Sequence, residues 1–150
     1  LLATMTEEVT NLVLSHNVSQ NTALATAVAR SKFNLLAHRD LMRNLEASGR
    51  LDRELEFLPT DEEMERRRNE GIGLTSPELA ILLAYTKIDV ADSLKEAGAA
   101  KDEFFNDLLV SYFPVALRNR FAEEIQEHPL RDEIIVTRIV NQVVDDAGIP

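Results

Sequence analysis

A glycine-rich segment, Gly71-Ile72-Gly73-Leu74-Thr75-Ser76, is the first candidate for cofactor chemistry. Glycines at this spacing let a backbone approach a pyrophosphate at a helix N-terminus, provided that they follow a buried strand. The preceding residues, from Met64 to Glu70, are charged and helical in character, and Ser76 stands where the fingerprint needs its third glycine. We therefore interpret the segment as a helix C-cap followed by a helix N-cap, whose free N–H groups can at most hold an adventitious anion. No cofactor-binding residue is assigned.

The sequence contains few residues that could bind a metal ion or act as a nucleophile. The sequence has no cysteine, which excludes a thiolate nucleophile, a disulfide and a cysteine-ligated metal. A metal site needs two or three ligands that converge, yet His16, His38 and His128 lie far apart, and no second histidine follows at helical spacing. No serine–histidine–acid arrangement is visible either, although folding can assemble one from distant residues. We assign no catalytic residue and no metal ligand.

The charged residues predict solvated surfaces. Neighbouring acids such as Glu123 and Glu124 diverge by about a quarter turn on a helix, which suits solvent better than general acid–base catalysis. The dense basic run Arg66–Arg68 lies among glutamates at pairing distance, which favours an ion-paired face over a phosphate clamp. The net charge of −10 repels phosphate backbones and anionic lipids. We expect neither nucleic acid nor a membrane as a partner.

The elements that position these residues are all predicted to be helices. Apolar residues recur at spacings of three and four almost throughout, and the alternation of a half-buried strand is hard to find. Capping boxes at Thr60–Glu63 and Thr75–Glu78 indicate helix starts, while Gly49 and Gly71 indicate helix ends. The sequence therefore predicts an all-α fold, a compact bundle of about seven or eight helices without a sheet.

Several helix boundaries and faces can also be predicted. A short first helix starts at the capping box Thr4–Glu7, and its buried stripe is expected to be Val9, Leu12, Val13 and His16. A long second helix is expected from about Ser19 to Gly49, with Ser31 as the place for a kink. Other apolar groups are expected in the core: the turn Leu51, Leu55 and Leu58 closed by Pro59, the aromatic stripe Phe104, Phe105, Leu108, Leu109 and Tyr112, the helix opened by Pro114 with Leu117, Phe121 and Ile125, and a central last helix from Ile134 to Val144.

The length of 150 residues fits one domain, 1–150. Within it we expect a looser N-terminal half, 1–59, and a better-packed half, 60–150. The chain begins with Leu1 and stops at Pro150, which suggests a C-terminal region excised from a much longer chain. The sequence has neither an uncharged apolar run of about 18 residues nor a secretory signal, so a soluble protein is expected. The absence of cysteine fits a reducing compartment, and a cytoplasmic location is expected.

Four segments of this chain together resemble one protein family. The segment Gly73–Ile88, GLTSPELAILLAYTKI, looks like a signature of the C-terminal part of the large bacterial NAD-specific glutamate dehydrogenases. The segments Gly49–Pro59, Tyr112–Phe121 and His128–Ile135 are similar to neighbouring parts of that family, in the same order and at the same spacing. The chain departs from the pattern at Ser76, where an arginine is expected, and this weakens the case for a fixed anion contact there.

This resemblance implies an enzyme of very large subunits that oxidises L-glutamate with NAD to 2-oxoglutarate and ammonium. The nucleotide-binding sheet and the substrate lysine and aspartate of such enzymes lie upstream, so no catalytic residue is carried over, Lys87 included. The full-length enzyme would use NAD, and this region would hold no cofactor. Its expected partners are the rest of the same polypeptide and sister subunits of a homo-oligomer.

Three roles are compatible with the sequence. The first is a non-catalytic packing platform within or between subunits, with anchors such as exposed apolar residues of the helix from Pro77 to Leu94. The second is a regulatory module that binds a small effector or a partner helix, which the broad apolar character of the last helix favours. A helical spacer without a further task is the third.

Overall fold

The computed structural model describes residues 1–149. Helices account for 77% of the chain, and the described residues form no strand, which confirms the all-α prediction. The described residues form eight α-helices: α1 Leu2–Arg30, α2 Leu35–Ala47, α3 Asp61–Glu70, α4 Ser76–Glu96, α5 Asn106–Tyr112, α6 Val115–Arg120, α7 Ala122–Gln126 and α8 Arg131–Ala147. They also form two 3-10 turns, at Ala99–Lys101 and Glu103–Phe105. Within residues 1–149, none of these helices combines the length and the hydropathy that crossing a bilayer requires.

The chain forms two compact units, each made from two stretches of sequence. The first unit contains residues Leu1–Gln20 and Asp89–Val143, and the second contains Asn21–Ile88 together with residues 144–149. The single domain expected from the length stays a prediction. Buried side chains of the first unit are Ala100, Leu109, Ile125, Ile134, Ile135, Val136, Ile139 and Val140; those of the second include Leu35, Met42, Leu45, Leu58, Met64, Leu74, Leu79, Leu82 and Leu83.

The predicted caps of α3 and α4 are confirmed. The Thr60 hydroxyl accepts a hydrogen bond from the backbone N–H of Glu63 at 3.2 Å, which satisfies one of the free donors at the start of α3. Gly71 ends the same helix with a φ of 70°, a left-handed conformation that glycine adopts without steric cost. At the start of α4 the box is reciprocal, because Glu78 N–H donates to the Thr75 hydroxyl and Thr75 N–H donates to the Glu78 carboxylate.

The first two helices divide at a different place from the one predicted. The chain stays helical from Leu2 to Arg30 and turns at residues 31–34, so the boundary expected near Ser19 is wrong and the kink site at Ser31 is a complete break. No proline or glycine interrupts the chain near Ser19. The break lies instead at Ser31, which is fully buried and whose hydroxyl accepts a hydrogen bond from the backbone N–H of Leu74. Helical periodicity gives no sign of this long-range contact. The expected buried stripe is also wrong in part, since Val9 and Val13 are exposed.

Other apolar residues that helical spacing assigned to the core are exposed. Leu55 and Phe104 are 75% and 82% exposed, and Tyr112 also faces solvent. The helix expected from Pro114 through Ile125 breaks at Phe121, which separates α6 from α7. The last helix agrees better with its prediction, because six of its apolar side chains are buried and Val143 is exposed: Ile134, Ile135, Val136, Ile139, Val140 and Val144.

Candidate functional site

The glycine-rich segment 71–76 joins α3 to α4 and is used for packing of the protein's own backbone. A Cβ at Gly73 would lie 2.6 Å from the backbone nitrogen of Lys32 and 2.7 Å from the Ser31 hydroxyl oxygen. The next residue, Leu74, donates its buried N–H to the same hydroxyl. A larger residue at position 73 would clash with the turn at residues 31–32, so this position requires glycine. As predicted, the segment connects a C-cap to an N-cap.

A charged pair fixes the same junction from the outside. Arg67 of α3 donates two hydrogen bonds to the Glu78 carboxylate of α4, at 2.8 and 3.0 Å, and a third to Glu63 at 2.8 Å. The two-pronged geometry holds the guanidinium and the carboxylate in one plane. Because Glu78 also accepts the Thr75 N–H at 2.7 Å, one carboxylate both caps α4 and ties it to α3.

Hydrogen bonds from arginines of α2 and α3 and of the segment between them lower the pKa of three carboxyl groups. Hydrogen bonds from Arg66 and Arg67 lower the pKa of Glu63 to about 2. Arg43 and Arg53 lower the pKa of Asp61. Burial raises the pKa of Glu78, but the bonds from Arg67 and Thr75 outweigh burial, so the pKa of Glu78 also lies below its usual value.

The folded chain should therefore lose stability in acid. A carboxyl group with a lowered folded pKa favours the folded state above its usual pKa, and this contribution disappears as the pH falls through the folded pKa. We expect the free energy of unfolding, measured by urea titration, to fall steadily from about pH 5 to about pH 2. Glu78→Gln should lower the free energy of unfolding by about 1.5 kcal/mol at neutral pH, because charge-assisted bonds in a mostly buried pair are lost. The further loss of stability in acid should then be shallower.

Glu62→Gln is the matched control for that titration. Glu62 is an exposed carboxylate in the first turn of α3, and it forms no ion pair among residues 1–149. Its replacement should leave the acid loss nearly as steep as in the parent chain. An acid profile that Glu78→Gln and Glu62→Gln alter equally would contradict the assignment of the effect to the Arg67–Glu78 pair.

The basic run lies on an ion-paired face, as predicted. Arg66 donates to Glu63 and Glu70, with its shortest bond at 2.7 Å, and Arg68 lies 3.5 Å from Glu65. Both arginines are exposed, and their charges are compensated on the same helix. The arrangement is that of a solvated helix surface rather than a phosphate clamp.

Residues 52–58, which we call the Phe57 loop, are the most unusual surface feature of the second unit. Phe57 is 90% exposed and has a φ of 55°, a left-handed conformation that is strained for an aromatic residue. Leu55 projects from the same loop and is 75% exposed. Neighbouring exposed apolar side chains, unlike single scattered ones, mark contact surfaces, and Leu55 and Phe57 are two residues apart in one loop.

An arginine holds this loop from beneath. Arg53 is mostly buried and donates to the Pro59 carbonyl at 3.2 Å, to Asp61 at 2.9 Å and to Glu46 at 2.7 Å. The two carboxylates raise the pKa of Arg53, so its positive charge is permanent and internally compensated. The loop therefore has a fixed base on α2 and α3.

The three histidines lie on different elements: His16 on α1, His38 on α2 and His128 in the segment before α8. His38 is buried on α2, whereas His128 accepts a hydrogen bond from Leu130 N–H at 3.1 Å and packs against Phe113, with ring centres 5.6 Å apart. No group of three or more histidine, aspartate or glutamate side chains within residues 1–149 is arranged to hold a metal ion. Lys87 is half-buried, and burial lowers its pKa.

Two of the cavities that open to solvent are lined in part by charged side chains. His38 borders a polar recess of about 260 Å³ in the second unit, together with Arg30, Asn34 and Asp145. A larger cleft of about 430 Å³ lies in the first unit between α1 and the turn before α6, with Val9, Leu12, Tyr112 and Phe113 among its lining residues. In the cleft Glu8 accepts the Val115 N–H at 2.8 Å, which fixes α1 to the start of α6.

Sequence reasoning assigned no site residue, and it missed the Phe57 loop. It placed Leu55 in a buried apolar turn and did not consider Phe57. One signal was available: Pro59 directly follows Leu58, and proline disfavours helical backbone before it. Leu55 and Leu58 therefore had no reason to share a helical face, and the structure shows that only Leu58 is buried.

Comparisons with known proteins agree with the resemblance seen in the sequence. Residues 71–150 match a family described as glutamate dehydrogenase, C-terminal. The chain is 43% identical over 149 residues to the NAD-specific glutamate dehydrogenase of Mycobacterium tuberculosis, and 40% and 39% identical to those of Pseudomonas aeruginosa and Halomonas elongata. Each match covers 99% of this chain.

The chain spans about 9% of the length of each of these relatives. No solved structure matches it significantly. The family match covers more than half of the chain, including the α3–α4 junction and every element after it. This protein therefore belongs to the family described as glutamate dehydrogenase, C-terminal.

Proposed function

We propose that this chain is a non-catalytic, C-terminal helical region of an NAD-specific glutamate dehydrogenase. The full enzyme oxidises L-glutamate with NAD to 2-oxoglutarate and ammonium in the cytoplasm. The region packs against the rest of the long polypeptide and against sister subunits of a homo-oligomer. The observation that carries this proposal is the identity of about 40% across 99% of the chain to three enzymes of that name.

The use of the charged and glycine-rich segments supports a structural role. Arg67 and Glu78 join two helices, Arg53 holds a loop, and Gly73 admits the backbone of another turn. Charged side chains and a glycine, which in enzymes often bind substrates or cofactors, here stabilise the fold.

Exposed apolar side chains support packing against further protein. Phe57 and Leu55 in the second unit and Phe104 in the first are each at least three-quarters exposed. Side chains of this kind are common anchors of protein interfaces once a partner covers them. The relatives have most of their length outside this region, which leaves ample protein to cover such residues.

The test compares the intact enzyme with a version that lacks the region. We expect the deletion to disrupt assembly, measured by light scattering after size exclusion, and to lower the rate of NADH formation from glutamate. The purified 150-residue chain should form no NADH. NADH formation by the chain alone, or a deletion that leaves assembly and turnover unchanged, would overturn the proposal.

A second function is favoured by the recess beside His38. A guanidinium, an imidazole and a carboxylate border a space of about 260 Å³, which suits a small polar effector. A regulatory module of this kind would bias the catalytic part through differential binding. Calorimetric titration with amino acids, nucleotides and 2-oxoglutarate decides between the two functions, since packing alone predicts no heat.

A further inference from the structure

The Phe57 loop presents two apolar side chains without an intramolecular reason for doing so. Phe57 is 90% exposed, so its ring gains little from burial within the described chain, and its φ of 55° opposes folding. Leu55 adds a second exposed apolar group two residues away. A strained and exposed aromatic residue is best explained by a contact that forms outside the chain itself.

The loop is held rigid before any partner binds. The Asp52 carboxylate accepts the N–H groups of Glu54 and Leu55 at 3.0 and 3.2 Å, which closes the first turn. Leu58 N–H donates to the Arg53 carbonyl at 2.9 Å, which closes the second. Little conformational freedom would therefore be lost on docking, and this favours affinity.

A contact from α4 fixes the outer part of the loop. The Tyr85 hydroxyl donates to the Glu56 carboxylate at 2.6 Å. Glu56 lies between Leu55 and Phe57 in sequence, so this bond holds the segment that carries both exposed side chains. Arg53 holds the inner part through the Pro59 carbonyl. The apolar pair is thus supported on both sides.

The exposed charges of the Phe57 loop itself are acidic. Arg53, the one basic residue of the loop, is turned inward onto Glu46 and Asp61. The exposed charged side chains of the loop are Asp52 and Glu54, both negative. A partner surface must therefore offer an apolar pocket bordered by lysine or arginine.

We infer that the Phe57 loop docks into an apolar pocket with a basic rim on the remainder of the enzyme polypeptide, outside the region of residues 1–150. This inference rests on the proposed function. A second copy of this chain is a poor occupant, because each copy carries a net charge of −10 and would place acid against acid. The relatives, in which this region is 9% of the length, contain the protein needed to form the pocket.

Photo-crosslinking in the intact enzyme tests the occupant directly. Phe57 is replaced by a benzophenone-bearing phenylalanine, and the crosslinked peptide is identified by mass spectrometry. We expect an adduct on a peptide outside the region, with lysine or arginine beside the modified residue. An adduct on a second copy of residues 1–150, or no adduct, would overturn the inference.

A pair of substitutions measures the contribution of the ring. Phe57→Asn removes the ring and keeps a residue that tolerates the left-handed backbone, so the loop conformation is retained. We expect the region to be cleaved from the intact enzyme by a dilute protease about tenfold faster in this variant. Phe33→Asn is the control, since Phe33 of the same unit is 76% exposed, lies outside the Phe57 loop, and has the Lys32 ammonium 4.9 Å from its ring centre.

Glu54→Lys tests the charge of the rim independently, and it should also accelerate cleavage. Thermal unfolding followed by circular dichroism checks that the variants fold. Equal cleavage rates in Phe57→Asn and the parent enzyme would overturn the docking inference. If deletion of the whole region still disrupts assembly in that case, the proposed function stands and only the docking site is wrong.

Discussion

Gly73→Ala will lower the free energy of unfolding by about 3 kcal/mol, because a methyl group cannot fit where this glycine packs. The added Cβ would lie 2.6 Å from the Lys32 nitrogen and 2.8 Å from the Ser31 Cβ. One neighbour is backbone and the other is a fully buried side chain, so neither can move aside cheaply. For a chain of this length we expect the melting temperature to fall by about 9 °C.

Gly71→Ala is the control, two residues away in the same segment. A Cβ at Gly71 meets no atom within 4 Å, so its replacement should cost only the left-handed penalty, about 1 kcal/mol, at its φ of 70°. Urea titrations of both variants give the comparison. Equal losses would show that close packing against the 31–32 turn does not stabilise the fold.

Local signals explain why parts of the fold were predictable. The caps at Thr60 and Thr75 each join groups three residues apart, so the sequence contains both partners of each hydrogen bond. The left-handed end of α3 at Gly71 is equally local. Helical periodicity then predicts the fold class, because it depends on neighbours three and four residues away.

Long-range contacts explain the errors. The break after α1 coincides with a hydrogen bond from Leu74 to Ser31, whose partners are 43 residues apart. Periodicity also places Leu55 and Phe104 on apolar faces without showing whether another element covers them. A single sequence does not show which element covers a given face, so helical spacing alone predicts a core position for both residues.

For the Phe57 loop, Pro59 indicates only that the turn ends at Leu58, and the exposure of the remaining side chains depends on long-range contacts in the same way. The two supports of this loop are Arg53, bonded to Glu46 and Asp61, and Tyr85, which lies 29 residues from Glu56. Those restraints hold the left-handed backbone at Phe57. Such a backbone is usually indicated in a sequence by glycine or asparagine, and this position has neither. The surface that we propose for docking therefore becomes visible only in the folded chain.

Leu82→Ala should destabilise the second unit by about 3 kcal/mol. Leu82 is fully buried in α4, in a stripe with Leu79, Leu83 and Thr86 at the spacing of one helical face. Truncation removes buried carbon atoms and leaves a cavity, since close-packed neighbours relax only in part. The urea midpoint of the 150-residue chain, followed by circular dichroism, should fall accordingly.

Leu55→Ala removes the same atoms from a side chain that is 75% exposed, so the difference between the two variants reports burial alone. In the isolated chain we expect Leu55→Ala to change stability by less than about 0.5 kcal/mol. In the intact enzyme the same change should weaken docking, because Leu55 lies beside Phe57. A loss of stability in the isolated chain as large as that of Leu82→Ala would show that Leu55 is a core residue, and it would remove an apolar anchor from the proposed docking surface.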